Sequence, residues 1–136
     1  MADASSSQIE RMDKFGLNLG IAFQMMDDIL DVIGNKELLG KPTGIDLRDG
    51  NPSLPIVLSV GNGETPISNA FKTSHPTVGL INTALKAMCN GTVIDQSLAF
   101  SRKYASKAFS PIEDFPSSPY MNGMKAMIKL MLERNS

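Results

Sequence analysis

A chain of 136 residues, 42% apolar and 20% charged, is one domain by size and holds enough apolar material to bury a single core. A net charge of −1 with both signs dispersed leaves no footprint for nucleic acid or for an anionic membrane surface, so any phosphate binding has to come from a local site. One cysteine excludes an intrachain disulfide and fits a reducing compartment.

Taken in order, Met1 to Ser7 are small and polar and read as a loop or frayed start. The opening MADASSSQIER has no apolar core and begins acidic, which argues against a secretory signal and for a cytoplasmic protein. Ser6 or Ser7 is placed to cap a helix entering at Gln8, with Glu10 in its first turn. Ile9, Met12 and Phe15 continue an apolar stripe into the run Phe15 to Ile33, FGLNLGIAFQMMDDILDVI, so the long helix starts near residue 7. The Phe15 to Ile33 part alone is about five turns, roughly 28 Å at 1.5 Å per residue. Its apolar residues point in all directions, which predicts a place inside a bundle. Its polar residues are ordered: Gly20, Gln24, Asp27 and Asp31 share one stripe, with Asp28 at its edge and Asn18 opposite. Three Asp, one Asn and one Gln make it too polar to span a bilayer.

Gly34-Asn35 ends this helix. Lys36 to Pro55 carries Gly40, Pro42, Gly44, Gly50, Pro52 and Pro55, a density that excludes one regular element, and a loop of this length in a compact domain is more often functional than incidental. Pro52 is suited to a first helical position, and Leu54 to Val60 then form a short buried helix ending at Gly61-Asn62-Gly63. The run Ile56 to Leu58 is also compatible with a strand, although no partner strand exists elsewhere. Further helices are expected from Pro66 to Lys72 and from Thr77 to Cys89, with Val78, Leu80, Ile81, Leu85 and Met88 at helical spacing and Cys89 as a small core residue. Thr92 and Asp95 resemble a capping box for a helix reaching about Phe109, with Ile94, Leu98, Ala105 and Ala108 inward. Ser118 caps a last helix with Pro119 in its first turn. Met121, Met124, Met127, Ile128, Met131 and Leu132 form its apolar face, and Lys125, Lys129 and Arg134 face water. The methionines there read as soft core packing rather than a ligand groove, and His75 as a surface residue. The expected fold is all-α, five or six helices in one domain over 1–136.

The acidic stripe is the chemical feature. Carboxylates at i and i+4 repel by roughly 0.2–0.5 kcal/mol in water and far more in a dry interior. An isolated acidic triplet is more often a solvated face, but apolar flanks on every side favour a divalent cation here. Hard oxygen ligands on one helix face suit Mg²⁺, whose shell is completed by water and phosphate oxygens.

FQMMDDILDV followed by LLGKPTGIDLRDGNPSLPIV resembles the second aspartate-rich region of the trans-type polyprenyl diphosphate synthases. The match runs from about Phe15 to Val57, with the DDxxD, GK and D-x-x-x-G-N blocks in the family's order and spacing. The resemblance implies the C-terminal half of an isoprenoid synthase bundle, and a reaction in which an allylic diphosphate ionises with Mg²⁺ assistance and its carbocation is attacked by isopentenyl diphosphate. Asp27 and Asp31 match the first and last motif aspartates and are expected to reach one ion together, with Asp28 supporting them. Gln24 matches the family's glutamine and is expected to donate to substrate, against the alternative of a buried amide satisfied by backbone. Lys41 matches the lysine of the GK block and is expected on the diphosphate. Asp46 and Asp49 align with outer-shell acidic positions, while Arg48 is equally suited to pair with Asp49. Phe23 either lines an apolar tunnel or packs in the core.

The resemblance leaves out the first aspartate-rich region, the arginines after it and the segment that binds isopentenyl diphosphate. Two readings follow: a portion of a synthase, inactive alone, or a non-catalytic binding or regulatory subunit of one. The opening inside what resembles an interhelical loop favours the first. Either predicts self-association into a homo-oligomer or pairing with an N-terminal half, because the long helix is left uncovered. A third reading, a helical interaction module with a solvated acidic triplet, predicts no Mg²⁺-dependent diphosphate binding.

Overall fold

The computed structural model describes residues 3–34 and 43–133, and every regular element among them is helical. The elements are α1 (Ser6–Ile33), α2 (Ile45–Asp49), α3 (Leu54–Gly61), α4 (Thr65–Lys72), α5 (Val78–Asn90), α6 (Val93–Phe109), a 3₁₀ turn (Ser110–Ile112) and α7 (Pro119–Glu133). The stretch Ile56 to Leu58 lies within α3 and is not a strand. No described helix is long and apolar enough to cross a membrane.

Local chemistry explains most of the boundaries. α1 opens on a reciprocal cap: the N–H of Gln8 donates to Ser5 Oγ at 3.2 Å, and the N–H of Ser5 donates to Gln8 Oε1 at 2.9 Å. The cap is therefore Ser5 rather than Ser6 or Ser7. Pro55 rather than Pro52 occupies the first turn of α3, and Pro66 does the same for α4. Thr77 Oγ1 accepts the N–H of Leu80 at the start of α5, and Ser118 Oγ accepts that of Met121 at the start of α7.

The described chain divides into two compact units, one formed by residues up to Gln24 with those from Phe100 on, the other by Met25 to Ala99. In the second, Val32, Leu47, Ile56, Ile67, Ala70, Ala84, Met88 and Val93 form the core, with Phe71, Ile81 and Leu85 packed on it. There α4 packs on α5, α3 and α2. In the first unit, Phe15, Leu19 and Ala22 of α1, Ala105 and Ala108 of α6, and Met121, Ile128 and Met131 of α7 are buried. Ser101 Oγ donates to the carbonyl of Ala22 at 3.3 Å, and Arg11 donates through Nε to the carbonyl of Pro111 at 2.7 Å while pairing with Asp114 and lying over the Phe115 ring.

Several expected core positions are not core. Cys89 is exposed, because Ala84 and Met88 hold the inward face of α5 and residue 89 is turned about 100° from Met88. Partial burial of its thiol still raises the thiol pKa. Val78 is 74% exposed, and in α6 the inward line is Val93, Ser97, Ser101, Ala105 and Ala108, with Ile94 and Leu98 half-buried. Met127 of α7 is exposed rather than on the buried face. Helix α1 is not enclosed on all sides: Leu17, Phe23 and Ile33 are exposed. Arg134 lies outside the described residues.

Candidate metal and diphosphate site

The last two turns of α1 carry Asp27, Asp28 and Asp31, and the chain returns to them twice. Asp27 is exposed, whereas Asp28 and Asp31 are half-buried. Asp31 Oδ1 accepts the N–H of Ile45 at 3.1 Å, and Oδ2 accepts that of Asp46 at 3.0 Å. The carbonyl of Asp31 also accepts the N–H of Gly44 at 2.8 Å. Asp28 Oδ2 accepts the N–H of Leu54 at 2.9 Å, at the start of α3.

Glycine makes the first return feasible. Gly44 has φ +77°, and a Cβ there would stand 2.7 Å from Ile81 Cγ2 and 3.1 Å from Leu85 Cδ1, so both its backbone conformation and its contact with α5 disfavour a side chain. The spacing D-x-x-x-G-N has an equally local basis. The carbonyl of Asp46 accepts the N–H groups of Gly50 and Asn51, and the Asn51 amide donates to Asp46 Oδ1 at 3.4 Å. Gly50, at φ +72°, turns the chain out of α2.

The charges of Asp28 and Asp31 both act on Asp46. Desolvation raises the Asp46 pKa above its ordinary value, and the Asp31 charge and, more weakly, that of Asp28 push in the same direction; the Asn51 hydrogen bond opposes them. Three acidic side chains crowding one another, all hard oxygen donors with lone pairs to spare, fit a divalent cation by chemistry and by charge. Among the described residues no group of three or more metal-ligating side chains converges on one point. The residues therefore fit one wall of a metal site rather than a closed one.

Arg48 is turned to Asp49 in a two-point ion pair, Nε to Oδ1 at 2.7 Å and Nη2 to Oδ2 at 3.1 Å, which lowers the Asp49 pKa. Gln24, one turn before Asp28 on α1, is exposed, as is Phe23, which is not a core residue. Lys41 lies outside the described residues. His75 is exposed. The backbone bonds to Asp28 and Asp31 were not legible in the motif, since their donors sit 14 to 26 residues downstream.

The polyprenyl synthetase family model matches residues 1–88, more than half of the chain. The chain belongs to the polyprenyl synthetase family. It is 32% identical over 125 residues to solanesyl diphosphate synthase 1, chloroplastic, of Arabidopsis thaliana, covering 92% of this chain and 30% of that protein. Against heptaprenyl diphosphate synthase component 2 of Geobacillus stearothermophilus the identity is 30%, covering 94% of this chain and 39% of that one. A polyprenyl synthase from Caulobacter crescentus, solved with calcium and isoprenyl diphosphate, superposes with a TM-score of 0.86 at 27% identity, over 99% of this chain and 42% of that one. The polyprenyl synthetase chain described here thus spans less than half the length of each relative, and its all-α fold is that of their solved bundles.

Proposed function

We propose that this chain is the part of a polyprenyl diphosphate synthase that carries one carboxylate wall of the active site, in a prenyltransferase that joins isopentenyl diphosphate to an allylic diphosphate, and that it is inactive alone. The observation that carries the reading is the return of the chain at Asp46 and Leu54 onto Asp31 and Asp28, which builds an acidic wall from the motif blocks in a fold shared with prenyl synthases. Asp27 and Asp31 would hold Mg²⁺, with Asp28, Asp46 and Asp49 in its outer surroundings. Bound there, Mg²⁺ supplies positive charge that favours departure of the diphosphate. Lys41 adds a cationic contact to phosphate oxygens, and Gln24, with Phe23 beside it, faces the substrate. The protein acts in the cytoplasm and completes its site with an N-terminal half or within a homo-oligomer.

A thermal-shift titration tests this reading, because a ligand that binds only the folded state raises its apparent stability. The expected result is a shift that needs Mg²⁺ and an allylic diphosphate together, is absent with either alone, and is lost in Asp27→Ala. No shift, even after addition of an N-terminal half from a full-length relative, overturns it. The second reading, a non-catalytic subunit, draws on the similarity to a protein named as component 2 of a heptaprenyl synthase. It predicts that the chain raises the turnover of an already complete synthase while Asp27→Ala leaves that effect intact.

A further inference from the structure

The first N–H groups of a helix have no partner inside it and need acceptors from elsewhere. Neither α2 nor α3 is capped by the residue that precedes it: Gly44 has no side chain, and Ser53 makes no cap hydrogen bond. The acceptors come instead from α1. Asp31 takes the N–H groups of Ile45 and Asp46, one on each oxygen, and Asp28 takes that of Leu54. We propose that Asp28 and Asp31 are positioning residues, a two-point latch that holds the segment Gly44–Leu54 against the end of α1 and thereby sets where Asp46 stands. Asp27, exposed to solvent on the same turn, is left out of the latch.

A latch and a ligand make different demands on the side chain. A backbone N–H needs an acceptor oxygen, which an amide also offers; a cation needs the negative charge. Asp28 engages Leu54 through Oδ2, and the carbonyl oxygen of an asparagine offers the same acceptor to that N–H. Asp31 engages two donors through two oxygens, so asparagine, with one oxygen and one donor, keeps half of that latch. The latch is made of bonds within the chain; only its service to the metal rests on the half-site reading.

Amide hydrogen exchange, read by NMR in the presence of a chelator, tests the latch residue by residue. Asp28→Ala is expected to speed exchange at Leu54 by about tenfold or more, the loss of one hydrogen bond to a charged group, with Ile45 and Asp46 unchanged. Asp28→Asn returns Leu54 close to the wild-type rate. Asp31→Ala speeds both Ile45 and Asp46, Asp31→Asn restores one of them, and Asp27→Asn alters none. If asparagine fails like alanine at position 28, or the three amides exchange alike in every variant, the latch is overturned. Should Asp31→Ala not fold, the two asparagine variants decide the matter alone. In a parallel titration with Mg²⁺ and inorganic pyrophosphate, Asp27→Asn is expected to lose the wild-type response. A wild type without any response strikes the half-site reading and leaves the exchange result standing.

Discussion

The backbone N–H of Asp46 donates to Asp31 Oδ2 at 3.0 Å, so the residue whose backbone neutralises part of the Asp31 carboxylate brings its own carboxylate into the same field. Burial and the Asp31 charge raise the Asp46 pKa. A carboxyl whose pKa is higher folded than unfolded stabilises the fold below its unfolded value of about 3.8, and that stability is lost as pH rises through the folded value. In chelator, the apparent Tm of the wild type should therefore fall from pH 4 toward neutrality more than that of Asp46→Asn, and the variant should be the more stable at pH 7. Parallel pH profiles for the two proteins would sink this.

Gly44 and Gly50 share a left-handed backbone but not a neighbourhood. A Cβ on Gly44 meets Ile81 and Leu85, whereas one on Gly50 has nothing within 4 Å. Left-handed backbone costs a non-glycine residue about 1–2 kcal/mol, and overpacking adds roughly 1–3 kcal/mol. Gly44→Ala should then lower unfolding stability in urea by about 2–5 kcal/mol, and Gly50→Ala by about 1–2 kcal/mol. Equal losses would mean that the contact with α5 is soft.

What was legible in the residues was what is settled within a turn or two of the chain. The all-α fold, the end of α1 at Ile33, Ser118 as a cap and the Asp27–Asp31 stripe follow from periodicity and from capping chemistry. The errors arise where two local options differ by little. Pro52 and Pro55 both suit a helix start, and the chain takes Pro55 because Asp28 reaches Leu54 and fixes the entry there. Cys89 and Met88 both sit on an apolar run, and a rotation of one residue decides which is inside. Long-range anchors left no local trace: nothing around Asp31 announces that its partners are Ile45 and Asp46, and nothing around Arg11 announces Pro111.

Arg11 makes three such contacts. Its guanidinium donates to the carbonyl of Pro111, pairs with Asp114 and lies 4.2 Å from the centre of the Phe115 ring. Its side chain is 30% exposed and that of Asp114 is 76% exposed, so most of the value lies with the carbonyl and the ring rather than with the ion pair. Arg11→Ala should lower stability by about 1–3 kcal/mol and Asp114→Ala by under about 1 kcal/mol. Arg11→Lys should recover little, since a lysine cannot make the planar set together. A double-mutant cycle in which Asp114 carries most of the Arg11 effect would reverse this ranking.

The uncovered side of α1 sets the expectation for assembly. Ile9, Leu17 and Phe23 are 54%, 65% and 41% exposed, and at 100° per residue they fall within an arc of about 120°. Gly20 lies at the middle of that arc, with open space where its Cβ would be. The same arc carries Gln24 and Asp27 of the acidic stripe, so a second copy or an N-terminal half that packs on it also borders the candidate site. Sedimentation of the wild type at tens of micromolar should show a dimer or larger species. Leu17→Glu should shift it to monomer by placing a charge in the contact. Gly20→Leu separates association from folding. In the isolated helix it adds helix propensity of up to about 1 kcal/mol, so the Tm should hold or rise, yet its bulk should block the approach and weaken association. A wild type that sediments as a folded, monodisperse monomer would leave this face without a partner in its own kind.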